Sequence, residues 1–184
     1  NSGPAQCMAS ARITEGPAAG TAREDTMKDA PLWRFALRLW RDKRIERVCL
    51  RLQDEHGVPV AVLLTALWLS EAGRRPDPAL GRRLLAFAEQ FETDYLRPLR
   101  AVRRRAADGQ GTVELKRQIQ EAELEGERLL LEQLSRQAQA QPGGQSVSAL
   151  SWLFVVVPEA GQCQSLQAGL EELAALSESR AVSE

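Results

Sequence analysis

The chain carries one histidine and three cysteines in 184 residues, with no Cys-x-x-Cys pair. A structural zinc site needs four soft ligands at short spacing, and a disulfide scaffold needs many paired cysteines, so both are excluded. Aromatic residues are only 5%, and glycine and proline number 13 and 9. That is too little turn and strand chemistry for an all-β chain. No apolar run approaches the roughly 18 residues of a membrane span, so no membrane partner is expected. Motifs that carry chemistry are missing as well. There is no GxGxxG, Walker loop, GxSxG or HExxH, and no paired-carboxylate signature. Nothing implies a cofactor or a metal, and nothing argues for an enzyme.

What is present is helix-forming. Alanine and leucine number 26 each, and both rank high in helix propensity. The basic residues are 21 arginines against three lysines, a ratio that reads as GC-rich coding and weakens any inference from an arginine cluster. Charge divides along the chain. Residues 28–108 hold 17 basic and 11 acidic groups, and residues 109–184 hold five and 11. The simpler reading is that the two halves pack together through complementary fields. The sharper one is a basic face that draws an acidic partner.

Residues 1–26 show no apolar periodicity and no secretory core, and read as a leader or added sequence, with Met27 as a natural start. A single all-α domain of five to seven helices over 27–177 follows, with a frayed tail from 178 to 184. The first helix opens at Pro31 and carries Leu32, Phe35, Ala36 and Leu39 at helical spacing, with Asp42 ending it. The second, from about 44 to 56, has the stripe Ile45, Val48, Cys49 and Leu52 and stops at Gly57. Residues 58–69 are apolar on every side, which marks a buried helix, so the core is expected to centre on about 58–72, with Leu64 and Trp68 inside it. Asp77-Pro78 is a strong helix start. Pro98 should kink or break the fourth helix near 96–97. Thr112 can cap a fifth helix to about Gln139, with Gly126 allowing a close approach and a second apolar line through Leu124 and Leu131. The β-branched residues of 150–157 have no strand partner, so they are read as a short helix before a final amphipathic one.

The run Leu32-Trp33-Arg34-Phe35-Ala36, the run from Val48 through Leu52-Gln53-Asp54-Glu55-His56-Gly57, the pairs Leu63-Leu64 and Trp68-Leu69, and Pro98-Leu99-Arg100-Ala101-Val102-Arg103-Arg104-Arg105 occur in a familiar order. Over about residues 30–107 the chain resembles a family of small bacterial proteins that carries only a domain-of-unknown-function label. The resemblance implies a helical cytoplasmic protein starting at Met27, and it brings no activity. Proteins of that family commonly have an acidic or amide residue where this chain has Pro59.

Two polar constellations stand out. Gln53, Asp54 and His56 sit at the end of the second helix. His56 can serve as a general base or ligand oriented by a carboxylate, or, more ordinarily, as a helix-terminal residue facing the last carbonyls while Asp54 caps the next helix. Arg97, Arg100, Arg103 and Arg104 form the second. On a regular helix Arg97, Arg100 and Arg104 lie opposite Leu99, Val102 and Ala106, as in a solvated face or a phosphate-contacting one. No aromatic residue interleaves them, so base stacking is not indicated. The sequence therefore points first to a non-enzymatic helical interaction protein, its partner unknown or a second copy bound through the Leu124/Leu131 line. Binding of nucleic acid or another acidic partner through the arginine face comes second. An enzyme with a small pocket near His56 comes third.

Overall fold

In a computed structural model the described residues are 31–109, 111–139 and 147–181. The leader, Met27, the loop residue Gln110 and the 141–144 linker lie outside them. The helices are α1 (Pro31–Leu39), α2 (Lys43–His56), α3 (Val60–Glu71), α4 (Pro78–Phe91), α5 (Arg97–Asp108), α6 (Val113–Ala138), α7 (Ala149–Val156) and α8 (Gln164–Ala181). A π turn, Glu92–Leu96, joins α4 to α5, and a 3-10 turn, Pro158–Gln162, precedes α8. Since α4, the π turn and α5 are one continuous rod, the described residues make seven helical rods and no strand. The fold is all-α.

The apolar run becomes α3, packed against α1, α2, α4, α6 and α7. Val62, Leu63, Leu64, Ala66, Leu67 and Leu69 are all buried, and each large aliphatic side chain so buried contributes roughly 1.5–3 kcal/mol. Thr65 is tolerated there because its hydroxyl donates to the Ala61 carbonyl, 2.7 Å away. Trp68 is only half-buried at the edge of this core. The fully buried tryptophan is Trp152 on α7, whose indole N–H donates to the Arg74 carbonyl at 2.7 Å.

Helix ends follow the local chemistry, with corrections. Asp77 accepts the amide of Ala79 at 2.8 Å and starts α4. Gly57 ends α2 at φ 70°, a left-handed conformation that favours glycine. Asp42 does not close α1. It caps α2 by accepting the Arg44 amide at 2.9 Å, and the Arg44 guanidinium beside it pulls its carboxyl down to about 2. Asp54 does not cap α3, because the residue at that position is Pro59, which has no side-chain acceptor. Thr112 does not cap α6 either, since its hydroxyl turns back to the Gly109 carbonyl at 2.7 Å.

Residues 150–156 are helical because their apolar side chains have α3, α4 and α8 to pack on, and Val157 stands just past the helix end. Gly81 lets α4 and α7 touch, since a Cβ there would stand 2.6 Å from the Val155 carbonyl oxygen. The last helix, α8, continues past residue 178 to Ala181, and Glu178 holds α7 by accepting the Ala149 amide at 3.0 Å. Leu131 is buried and Leu124 packs against the core, so the line expected to support self-association is used within the fold.

Candidate binding cleft and buried charge network

Pro98 has no amide hydrogen, and its ring crowds the carbonyl four residues back, so a regular α-helix cannot run through it. The helix widens instead of breaking. The Arg97 amide donates to the Glu92 carbonyl five residues back, which is the π turn. On an unbroken α-helix, positions eight apart differ by about 80° around the axis, and one extra residue absorbed in a π turn brings them to within about 20°. The π turn thus places Glu92 and Arg100 on one face, and that face is buried.

Arg100 lies between two carboxylates. Its Nη1 is 2.5 Å from Glu92 Oε2, and its Nη2 is 3.5 Å from Glu127 Oε1 on α6. One turn further along, Arg103 Nε is 2.8 Å from the fully buried Glu123. Gly126, between the two acids on α6, has no side chain, and a Cβ there would meet Leu96 at 2.8 Å. This absence lets α6 approach the π turn closely enough for the pairs to form. Five ionisable groups share the site, three acids and two bases. Burial is the largest influence on Glu127 and pushes its carboxyl up to about 8. Glu123 and Glu92 add to this, and Arg100 opposes it. With Glu127 protonated at neutral pH, the network carries no net charge.

Of these groups Glu92 and Arg100 reach a cleft of about 320 Å³, lined also by Gln53, Asp54, Gly57, Pro59, Arg97 and Arg104. A second, smaller pocket of about 30 Å³ shares Gln53, Glu92 and Arg100 with the cleft. Glu127 and the apolar side chains of Val60, Leu64, Leu96, Leu130 and Leu131 complete its wall. Three polar atoms of these residues are closed off from solvent without a hydrogen-bond partner: Gln53 Oε1, Arg100 Nε and Glu127 Oε2.

The two constellations noted in the sequence therefore meet, though not as a regular helix would arrange them. Arg97 and Arg104 are exposed at the rim, with Gln53 and Asp54 on the opposing α2 wall. Arg100 and Arg103 are buried in ion pairs and are no part of a solvated face, while Val102 is exposed. The reason is the π turn, which rotates α5 relative to an unbroken helix.

His56 falls on the other side of the 57–59 turn, in a separate pocket with Glu89, Glu159 and Leu166. Its Nε2 is 3.3 Å from the Ser165 hydroxyl, which is 3.3 Å from the Cys163 thiol. Among the described residues no group of three or more His, Cys, Asp or Glu side chains is arranged to hold a metal ion.

The sequence reading missed Glu92, Glu123 and Glu127. Glu123 and Glu127 follow Ile119 at steps of four, on the same stripe as Leu130 and Leu134, so two acids stood at core positions. That signal pointed to buried bases elsewhere in the chain.

The raised Glu127 carboxyl sets a pH dependence. Between its ordinary value near 4.5 and about 8, the folded state holds a proton that the unfolded state has lost. Its stabilising contribution is complete below about 4.5 and is lost as pH rises through 8. Relative to Glu127→Gln, the native protein should lose stability across that window, by at most about 1.4 kcal/mol per pH unit. Urea unfolding of both proteins at pH 5, 6.5 and 8 measures the difference. Parallel profiles would mean that the carboxyl is already ionised at neutral pH.

A family model described as a protein of unknown function, DUF2390, matches residues 31–134, more than half of the chain, and the chain belongs to that family. No curated protein and no solved structure matches it. The matched segment contains every residue that lines the cleft and the cavity. Ser165 and Cys163 lie beyond it.

Proposed function

We propose that this member of the DUF2390 family is a non-enzymatic binding protein, bacterial and cytoplasmic, that takes an anionic group of its partner, a carboxylate or a phosphate, between Arg97 and Arg104. One observation carries the reading. These two arginines share a cleft, are exposed, and make no ion pair with a described residue, whereas Arg100 and Arg103 between them are held in buried pairs. Seven residues along a helix is about two turns, so the two side chains stand on one face roughly 10 Å apart. Each guanidinium offers a planar set of donors suited to oxyanions. The cleft lining has no serine, cysteine or histidine, and so no hydroxyl or thiol nucleophile and no imidazole base. That supports binding over catalysis. The bacterial and cytoplasmic setting rests on the family resemblance.

Nucleic-acid binding is the weaker alternative. Two free arginines reach few phosphates, and Asp54 on the facing wall opposes an extended phosphate backbone. Calorimetric titration with glutarate and with inorganic phosphate tests the proposal. At least one should bind saturably, and Arg97→Gln/Arg104→Gln should weaken it by about tenfold for each arginine replaced, since a hydrogen bond to a charged group contributes roughly 1.5–3 kcal/mol. Failure of both anions to bind would overturn the reading. A single-stranded oligonucleotide that binds more tightly than either, with a salt slope steeper than about two neutralised phosphates allow, would favour the alternative.

A further inference from the structure

Two cysteines stand among the described residues, in opposite surroundings. Cys49 on α2 is completely enclosed, and burial, with Glu46 adding to it, pushes its thiol up to about 12. Cys163 is half-buried, immediately before α8. Its Sγ is 3.3 Å from Ser165 Oγ, and that oxygen is 3.3 Å from His56 Nε2. A thiol, a hydroxyl and an imidazole thus form one chain across the α2–α8 contact. The Ser165 hydroxyl, and after it the Leu166 amide, hold the thiol below its ordinary value of 9.0 against the opposing effect of burial. His56 also lines a pocket of about 190 Å³ with Val58, Leu85, Glu89, Glu159 and Leu166. One water needs only about 10–15 Å³ on the same measure, so a small organic group has room there. Leu166 follows Ser165 directly, which sets the pocket beside the chain.

We infer that Cys163 is a thiol-exchange site, at which a small disulfide leaves half of itself as a mixed disulfide seated against the His56 pocket. The Cys163 sulfur attacks one sulfur of the reagent. A new S–S bond forms to that sulfur, the old S–S bond breaks, and the other half departs as a thiolate. The thiol proton passes to Ser165 Oγ as the Ser165 hydroxyl proton passes to His56 Nε2, and the imidazolium returns a proton to the departing thiolate. Cys163 is oxidised and the departing half is reduced, so the disulfide is the only co-reactant. The charged groups about this chain are His56 and Glu55 from α2, Glu89 from α4 and Glu159 from the 3-10 turn. Arg51 of α2 and Glu172 of α8 pair with each other further along. Three acids near His56 favour a disulfide with amine ends over one with carboxylate ends. This chemistry is independent of anion binding by Arg97 and Arg104.

The test uses the full chain with Cys7→Ser, so that the reacting thiols are Cys49 and Cys163. The reagents are cystamine and 3,3′-dithiodipropionate, matched in length and opposite in charge. Mass spectrometry follows the rates from pH 6 to pH 10, and each is divided by the rate of N-acetylcysteine with the same reagent. Cys163 should carry the adduct and Cys49 should not. Cystamine should react faster than dithiodipropionate after that correction, with a preference that shrinks in high salt. Ser165→Ala changes an exposed position and should raise the pH at which the thiol ionises. Each unit of that rise cuts the thiolate at pH 7 about tenfold, and the greater nucleophilicity of the thiolate recovers about half of this on a logarithmic scale, so a net slowing of about threefold per unit is expected. Native and variant rates should meet near pH 10, whereas a variant that merely disturbs packing is slower at every pH. His56→Gln should act in the same direction, because an amide cannot take the proton. Superimposable pH profiles for the native protein and Ser165→Ala, an adduct on Cys49 as readily as on Cys163, or a faster corrected rate with dithiodipropionate would each overturn the inference.

Discussion

Arg100→Met should destabilise the fold by about 3–5 kcal/mol, the range expected when one partner of a buried ion pair is removed and the other is left uncompensated. The change keeps the length and apolar stem of the side chain, so packing is largely retained. It leaves Glu92 with no cation in a buried site, and Glu127 loses the one neighbour that favours its charged form. The neighbouring changes Arg97→Gln and Arg104→Gln should stay within about 0.5 kcal/mol, as surface substitutions do. Urea unfolding midpoints of the three variants give the comparison. Adding Glu92→Gln to Arg100→Met should recover part of the loss, because the stranded charge goes with it. If Arg100→Met costs no more than the two rim variants, Arg100 is solvated and the network does not exist as described.

The second large effect is expected at Trp152. It is completely buried on α7 and joins that helix to the segment after α3 through its bond to the Arg74 carbonyl. Trp152→Ala should cost about 3–5 kcal/mol, from reduced apolar burial and the cavity left behind. Trp152→Phe keeps most of the apolar surface and loses the hydrogen bond, so a smaller cost is expected, near the roughly 1 kcal/mol net value of one such bond plus a residual void. Chemical denaturation measures both. Equal losses for the two variants would mean that the anchor to Arg74, and not the burial of the indole, holds α7 in place.

The sequence made most of the fold legible because its strongest signals are local. The unbroken apolar run at 58–69 can only be a buried helix. Asp77-Pro78 and Gly57 mark helix ends through their own backbone chemistry, which no tertiary contact overrides. The charge division was legible too. Arg51 with Glu172, Arg100 with Glu127, and Arg103 with Glu123 each pair a base from the first half with an acid from the second. The face of α5 was not legible. Pro98 signalled an irregularity, but whether a helix breaks or widens by one residue depends on what the rotated face meets, here Glu123 and Glu127 across Gly126. Trp68 shows the same limit on a smaller scale. A helix apolar on all sides does not reveal which side lies at the edge of the core, and Trp68 is half-buried while Leu64 is enclosed. The candidate cleft was half visible. Its rim residues were singled out in two separate groups, and only the three-dimensional fold brings α2 and α5 together and leaves His56 on the other side of the turn.

The central claim is a division of labour within one arginine cluster, in which Arg97 and Arg104 are free to take an anion while Arg100 and Arg103 are locked in the fold. Side-chain Nε–Hε signals of arginine in a ¹⁵N-resolved spectrum, followed during a glutarate titration, read this division directly. The Arg97 and Arg104 signals should move together and saturate with one dissociation constant, while those of Arg100 and Arg103 stay in place. Equal movement of all four signals, or none at the rim with glutarate in excess, would contradict it.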